Sequence, residues 1–287
     1  MSPLSRSHVD APNICRSEPA GCADASAPIG VFDSGIGGLS VLNALRAALP
    51  HERFVYFADT GHAPYGERTD AYVIERTRFV ADHLLAAHGA KALVVACNTA
   101  TAAAIHLLRA TYPLLPLVGL EPALKPAVAN SATRHIAVLA TRGTVTSRKF
   151  DALRQSLADQ AHFSVVACDG LASAIERGDG SEIATLCARY AQAAGTFGTA
   201  PGQIDTLVLG CTHYPFVAAE LRRCTGAAVT FIDTGEAVAR QTQRLLTAAD
   251  LLADGGAGGA TFIGSGSVSA LDIAVARWTN QQAIASA

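Results

Sequence analysis

Along the chain, short apolar runs alternate with longer stretches in which apolar residues recur every three or four positions. The short runs predict strands at Ile29–Phe32, Phe54–Phe57, Ala92–Ala96, Leu117–Leu120, His135–Ala140, Ser164–Ala167, Thr206–Leu209, Val229–Ile232 and Thr261–Ile263. Continuous apolar runs bounded by turn residues suit strands buried on both faces. The longer stretches predict helices over Gly38–Leu49, Ala71–His88, Ala100–Tyr112, Val145–Asp159, Glu182–Ala194 and Glu236–Leu252. Asp254–Ala260, with its glycines, reads as a flexible loop.

Buried strands joined through helices imply a mainly parallel sheet. Nine strands exceed one modest open sheet, so the fold class is α/β with two parallel-sheet domains and a site in the cleft between them. An internal echo supports two related halves. Leu93-Val94-Val95-Ala96-Cys97-Asn98-Thr99 is answered by Leu207-Val208-Leu209-Gly210-Cys211-Thr212-His213. In the same order, Val31-Phe32-Asp33-Ser34-Gly35 is answered by Leu139-Ala140-Thr141-Arg142-Gly143. The expected division is a first domain of residues 28–122 plus 234–287 and a second of 123–233. Residues 1–27, rich in Ser, Ala and Pro, read as a disordered extension without the apolar core of a signal peptide.

Composition narrows the function. Half of the 287 residues are hydrophobic, 16% are charged and the net charge is −2. That balance fits a compact enzyme and implies no nucleic-acid partner. No apolar run approaches the roughly 20 residues of a membrane span, so no membrane partner is expected either. Seven cysteines, an odd number with no C-x-x-C pair, argue against a disulfide framework and point to the cytoplasm. Cys168, Cys187 and Cys224 read as small buried core residues, and Cys15 and Cys22 as part of the tail.

Polar groups cluster just after predicted strands, at Asp33-Ser34, Asp59–Gly66, Cys97-Asn98-Thr99, Thr141–Thr144 and Cys211-Thr212-His213. In open α/β sheets such loops share the carboxyl edge where ligands bind. Inverting a carbon centre needs a base on one face and an acid on the other. Two thiols, one per half, supply both, because cysteine changes protonation state near neutral pH. A helix N-terminus behind each cysteine favours the thiolate. Asp33 beside Cys97 and His213 beside Cys211 are the candidate auxiliary bases. Gly35-Ile36-Gly37-Gly38 lacks G-x-G-x-x-G, and no G-K-[ST] follows, so it reads as a tight strand-to-helix turn rather than a phosphate loop. Asp59 either binds substrate or caps its loop.

The strings GVFDSGIGGLSVL, YFADTGHAPYGER, VVACNTATA, LATRGT and LVLGCTHYPF resemble glutamate racemases, from about Ile29 to Ser265. The resemblance implies an enzyme interconverting L- and D-glutamate without metal, pyridoxal phosphate or nucleotide, supplying D-glutamate for peptidoglycan. It implies Cys97 as the base for D-glutamate, Cys211 as the base for L-glutamate, and Asp33, His213 and Glu176 as auxiliary groups. It implies substrate binding by Asp33, Ser34, Tyr65, Gly66, Asn98, Thr99, Thr144, Thr212 and His213, and a homodimer. Around Glu176 the family usually has Pro after the upstream cysteine, whereas here Asp169-Gly170 follow Cys168. The alternatives are an aspartate racemase, a non-catalytic amino-acid binding protein and a zinc hydrolase using Cys211 and His213.

Overall fold

A computed structural model of the chain describes residues 24–279. The first half runs β1 (Ile29–Asp33), α1 (Leu39–Ala48), β2 (Arg53–Ala58), α2 (Asp70–His88), β3 (Ala92–Val95), α3 (Asn98–Thr111) and β4 (Leu117–Gly119). The second runs α4 (Leu124–Asn130), β5 (His135–Ala140), α5 (Arg142–Val145), α6 (Arg148–Gln155), β6 (His162–Ala167), α7 (Leu171–Arg177), α8 (Gly180–Ala194), β7 (Thr206–Gly210), α9 (Ala218–Thr225) and β8 (Thr230–Ile232). The chain then returns through α10 (Gly235–Ala248), β9 (Gly259–Gly264) and α11 (Val268–Trp278) to the first sheet.

There are two sheets, ordered β4-β3-β1-β2-β9 and β6-β5-β7-β8. Every pairing is parallel. Read from opposite edges, the two share one order: β4-β3-β1-β2 corresponds to β8-β7-β5-β6. The echo in the sequence is thus repeated in topology, with β3 and β7 both flanking their central strands.

Both faces of each sheet are covered. In the first sheet Val31, Tyr56 and Val94 join the core beneath α1, α10 and α11, while Phe32, Val55 and Val95 join the core beneath α2 and α3. Successive side chains on a strand point to opposite faces, so a doubly covered strand must be apolar at every position. This is why the predicted strands stood out. Lys91 and Glu52 form a buried ion pair at the opposite edge, with Nζ 2.6 Å from Oε2 but not aligned as a directed hydrogen bond. Lys91 also holds the Ala25 carbonyl, and Glu52 Oε1 accepts the Ala253 N–H at 2.9 Å.

Several expectations change. The single helix foreseen over Val145–Asp159 is two, because Thr146 and Ser147 interrupt it. Ser147 Oγ instead accepts the Phe150 N–H at 3.1 Å and caps α6. The foreseen loop Asp254–Ala260 ends early: Gly259 and Ala260 already pair with Arg53 and Phe54 in β9. Cys224 is exposed near the end of α9 rather than buried. Of the extension expected to be disordered, residues 1–23, including Cys15 and Cys22, lie outside the described part. Asp24–Ala27 closes a turn, with the Ala27 N–H donating to the Asp24 carbonyl at 2.9 Å. Among the described residues no helix is long and apolar enough to cross a membrane.

Candidate active site

Both sheets present their carboxyl edges to one cavity. It is lined from the first half by Ser34, Tyr65, Gly66, Cys97, Asn98 and Thr99. From the second half come Thr141, Arg142, Cys168, Asp169, Glu176, Cys211, Thr212 and His213. Cys97 stands two residues beyond β3 and caps α3, its sulfur accepting the Ala100 N–H at 3.5 Å. Cys211 directly follows β7, the corresponding strand. No α-helix opens directly behind it; a 3-10 turn at Tyr214–Val217 precedes α9. The helix N-terminus expected behind both cysteines is therefore present only at Cys97.

Around Cys97 the polar groups form a chain. Its thiol donates to Ser34 Oγ at 3.5 Å, and that hydroxyl donates to Asp33 Oδ1 at 3.3 Å. Asp33 also accepts the Ser34 and Gly38 N–H groups at 2.7 and 2.5 Å and the Thr212 hydroxyl at 3.3 Å. Asp33 is fully buried and does not line the cavity, so it reaches Cys97 through Ser34. Burial raises the Asp33 carboxyl above the usual carboxylate range; His213 opposes the shift and Glu176 adds to it. Burial, with the Asp33 charge second, also pushes the Cys97 thiol well up. Desolvation thus outweighs the helix N-terminus, and Cys97 rests as a thiol.

The second thiol has a different partner set. Cys211 Sγ lies 3.7 Å from His213 Nδ1, and His213 Nε2 lies 2.6 Å from Glu176 Oε1. Glu176 stands on α7 between Gly170 and Gly178, both left-handed. The same Oε1 accepts the Ile36 N–H from the first half at 2.8 Å. Burial alone would lower the His213 pKa, but the Cys211 and Glu176 contacts outweigh it and hold the imidazole well above its ordinary value.

The glycines of the Asp33–Gly38 loop serve this approach. None of Gly35, Gly37 and Gly38 has left-handed backbone. A Cβ on Gly35 would stand 1.9 Å from Glu176 Oε1, and one on Gly37 would stand 2.3 Å from His213 Nδ1. The turn expected from sequence is real, but Gly35 and Gly37 are required because the other half's side chains press against it.

The remaining candidates divide. Asn98 is buried, and neither polar atom of its carboxamide has a hydrogen-bond partner. Thr99 Oγ1 lies 3.0 Å from Thr141 Oγ1, joining the halves across the cavity. Thr144 does not line this cavity. It lines a second one with Asn98, Glu121 and Lys149, and its Oγ1 lies 3.0 Å from Thr141 Oγ1.

A model of the Asp/Glu/hydantoin racemase family matches residues 37–242. The chain belongs to the Asp/Glu/hydantoin racemase family. The glutamate racemase of Pseudomonas syringae pv. tomato is 49% identical over 248 residues, covering 85% of this chain and 87% of that protein. Among solved structures, a glutamate racemase isoform from Bacillus anthracis matches with a TM-score of 0.78 at 31% identity, covering 89% of this chain and 95% of that one. Escherichia coli glutamate racemase, solved with L-glutamate, matches with a TM-score of 0.75 at 29% identity, covering 88% of this chain and 95% of that one.

As an Asp/Glu/hydantoin racemase the chain is an isomerase, and its cavity holds groups that sequence reasoning passed over. Arg142 forks onto Asp169 at the wall, with Nε 3.1 Å from Oδ1. Cys168, treated as a core residue, is buried as expected but also lines the cavity, with its thiol raised by burial. The repeat held the missing signal. β6 corresponds to β2, whose following loop was recognised, so the loop after β6 was its natural counterpart. Among the described residues of this racemase, no group of three or more His, Cys, Asp or Glu side chains could hold a metal ion.

Proposed function

We propose that this racemase interconverts L- and D-glutamate by proton transfer between Cα and two thiols, without a cofactor. One observation carries the reading: Cys97 and Cys211 come from corresponding strands of two sheets, line one cavity, and each has its own chain of proton acceptors. With L-glutamate, Cys211 has already given its proton to His213, whose imidazolium Glu176 holds, and the resulting thiolate takes the Cα proton. Cys97, resting as a thiol, delivers a proton to the opposite face. With D-glutamate the same steps run backwards, and Asp33 assists Cys97 through Ser34.

The Asn98 carboxamide and the Thr99 and Thr212 hydroxyls are the groups to meet the substrate. An unpartnered buried amide costs about 1–3 kcal/mol until a ligand satisfies it. We place Tyr65 and Gly66 on the same binding wall. Thr144 acts through Thr141 rather than by touching substrate. The relatives' names and the complex of the Escherichia coli protein with L-glutamate support glutamate as substrate. The product then serves as the D-glutamate of peptidoglycan in the cytoplasm. The two sheets support a division into residues 28–122 plus 234–287 and 123–233.

Racemisation of L-glutamate in deuterium oxide tests the reading. Product carrying solvent deuterium at Cα is expected, with full turnover abolished in both Cys97→Ala and Cys211→Ala. Product that keeps its original hydrogen refutes two-thiol transfer, and turnover of L-aspartate in preference to L-glutamate refutes the substrate.

A further inference from the structure

Asp59 lies just beyond β2, fully buried and outside the cavity lining, yet three elements converge on its carboxylate. Arg76 of α2 forks onto it, Nε to Oδ2 at 3.0 Å and Nη2 to Oδ1 at 2.9 Å. Ser265, just after β9, donates to Oδ1 at 2.6 Å, and His62 Nδ1 lies 3.1 Å from the same oxygen. The Tyr65 hydroxyl donates to Oδ2 at 2.5 Å. Burial would raise the Asp59 carboxyl, but Arg76, Ser265 and Tyr65 outweigh it and hold the group below the usual range. The carboxylate is ionised and its acceptor capacity is filled.

Tyr65 is the one donor of this set that also lines the cavity. Its ring packs against Phe32 and Tyr72, with centroids 6.5 Å away in each case. Burial, then the Asp59 hydrogen bond, push its phenol far above the ordinary range, so it is no proton donor at neutral pH. What Tyr65 contributes to the cavity is therefore a fixed wall. The next residue, Gly66, fits against the second half so closely that a Cβ there would stand 3.0 Å from Thr141 Cβ. A wall packed this tightly tolerates little displacement.

We propose that Asp59 is a positioning residue for substrate binding, holding the Tyr65-Gly66 wall against Thr141 through the Tyr65 hydroxyl and the Arg76 fork. The role rests on glutamate as substrate. It differs from general support in where it acts. The Cys97 and Cys211 proton chains contain neither Asp59 nor Tyr65, so loss of the carboxylate weakens binding and leaves the chemistry in place.

Steady-state kinetics with L- and D-glutamate on D59N, Y65F, the D59N/Y65F double variant and S265A test this. D59N and Y65F should each raise KM about tenfold, as expected for a lost hydrogen bond to a charged group, with kcat nearly unchanged. The double variant should be no worse than the worse single one, because both break the same link. S265A, which removes one peripheral donor, should shift KM in the same direction by less and guards against misfolding of the others. Losses that multiply in the double variant, or a fall in kcat with KM unchanged, overturn the proposal. Hydrogen exchange of the Tyr65–Arg68 amides without substrate supplies an independent reading. Faster exchange in D59N supports the positioning role and unchanged exchange overturns it, whether or not glutamate turns over. Failure of the wild-type enzyme on glutamate counts against the substrate alone.

Discussion

Nε2 of His213 lies 2.6 Å from Oε1 of Glu176, and the oxygen that holds the imidazole also receives the Ile36 N–H from the opposite half. One carboxylate oxygen thereby orients the imidazole beside Cys211 and ties the two halves together. A histidine held in this way keeps its ring orientation between the transfer of one proton and the return of another.

Loss of the Glu176 charge should change both turnover and pH response. His213 is held above its ordinary value of 6.5, so the stability drawn from its charged form is fully present below that value. It is lost as pH rises through the elevated folded value. In Glu176→Gln the elevation shrinks, so the decline of stability with rising pH should be smaller and end at a lower pH. Urea melts of wild type and variant between about pH 6 and pH 9 check the sign. Turnover should fall on the order of 100-fold, the scale of a displaced general base.

Filling the glycine approach should damage the same group sterically. Gly35→Ala and Gly37→Ala bring a methyl onto Glu176 and His213, so both should lose most activity while retaining the native circular dichroism spectrum. Gly180→Ala is the control. Nothing lies within 4 Å of a Cβ there, and its backbone is not left-handed. That change should be neutral or stabilising by up to about 1 kcal/mol, as measured by thermal melting.

The buried pair at the opposite sheet edge predicts a stability effect without a direct catalytic one. Lys91→Ala strands Glu52 in the interior, and breaking a buried pair costs about 3–5 kcal/mol. The melting temperature should drop sharply. KM measured well below that temperature should stay near wild type, since neither residue lines the cavity.

Trp278, the single tryptophan, stacks on Phe216 with centroids 4.4 Å apart. Phe216 belongs to the turn that follows His213, whereas Trp278 ends the C-terminal helix of the first half. Any substrate-driven movement of the halves therefore alters this stack. Titration with glutamate should change the intrinsic fluorescence, saturating at the same concentration as activity. A spectrum indifferent to saturating glutamate would show that the seam does not move.

The strands were legible because sheets covered on both faces leave no room for polar residues, as at Val94-Val95 and Val208-Leu209. Both cysteines were legible because a repeated strand delivers each to the same edge. The split after Val145 was hidden, since Thr146 and Ser147 fit a helical pattern equally well until a side-chain oxygen caps the next helix. The crowding behind Gly35 and Gly37 was also hidden, because it depends on side chains more than a hundred residues away. Thr144 shows the same limit. Its spacing from Thr141 is visible in sequence, but which of the two hydroxyls meets the cavity is set by the packing between halves.

The strand order shared by the two sheets has a thermodynamic consequence. Mirror-image forms of one amino acid have equal free energy in water, so the ratio kcat/KM must be identical in the two directions, however the catalyst is built. The repeat sets the sulfurs in corresponding places, but the partners have diverged into a serine–aspartate relay on one side and a histidine–glutamate pair on the other. That divergence can surface only in kcat and KM taken singly, with each enantiomer saturating the enzyme at its own concentration.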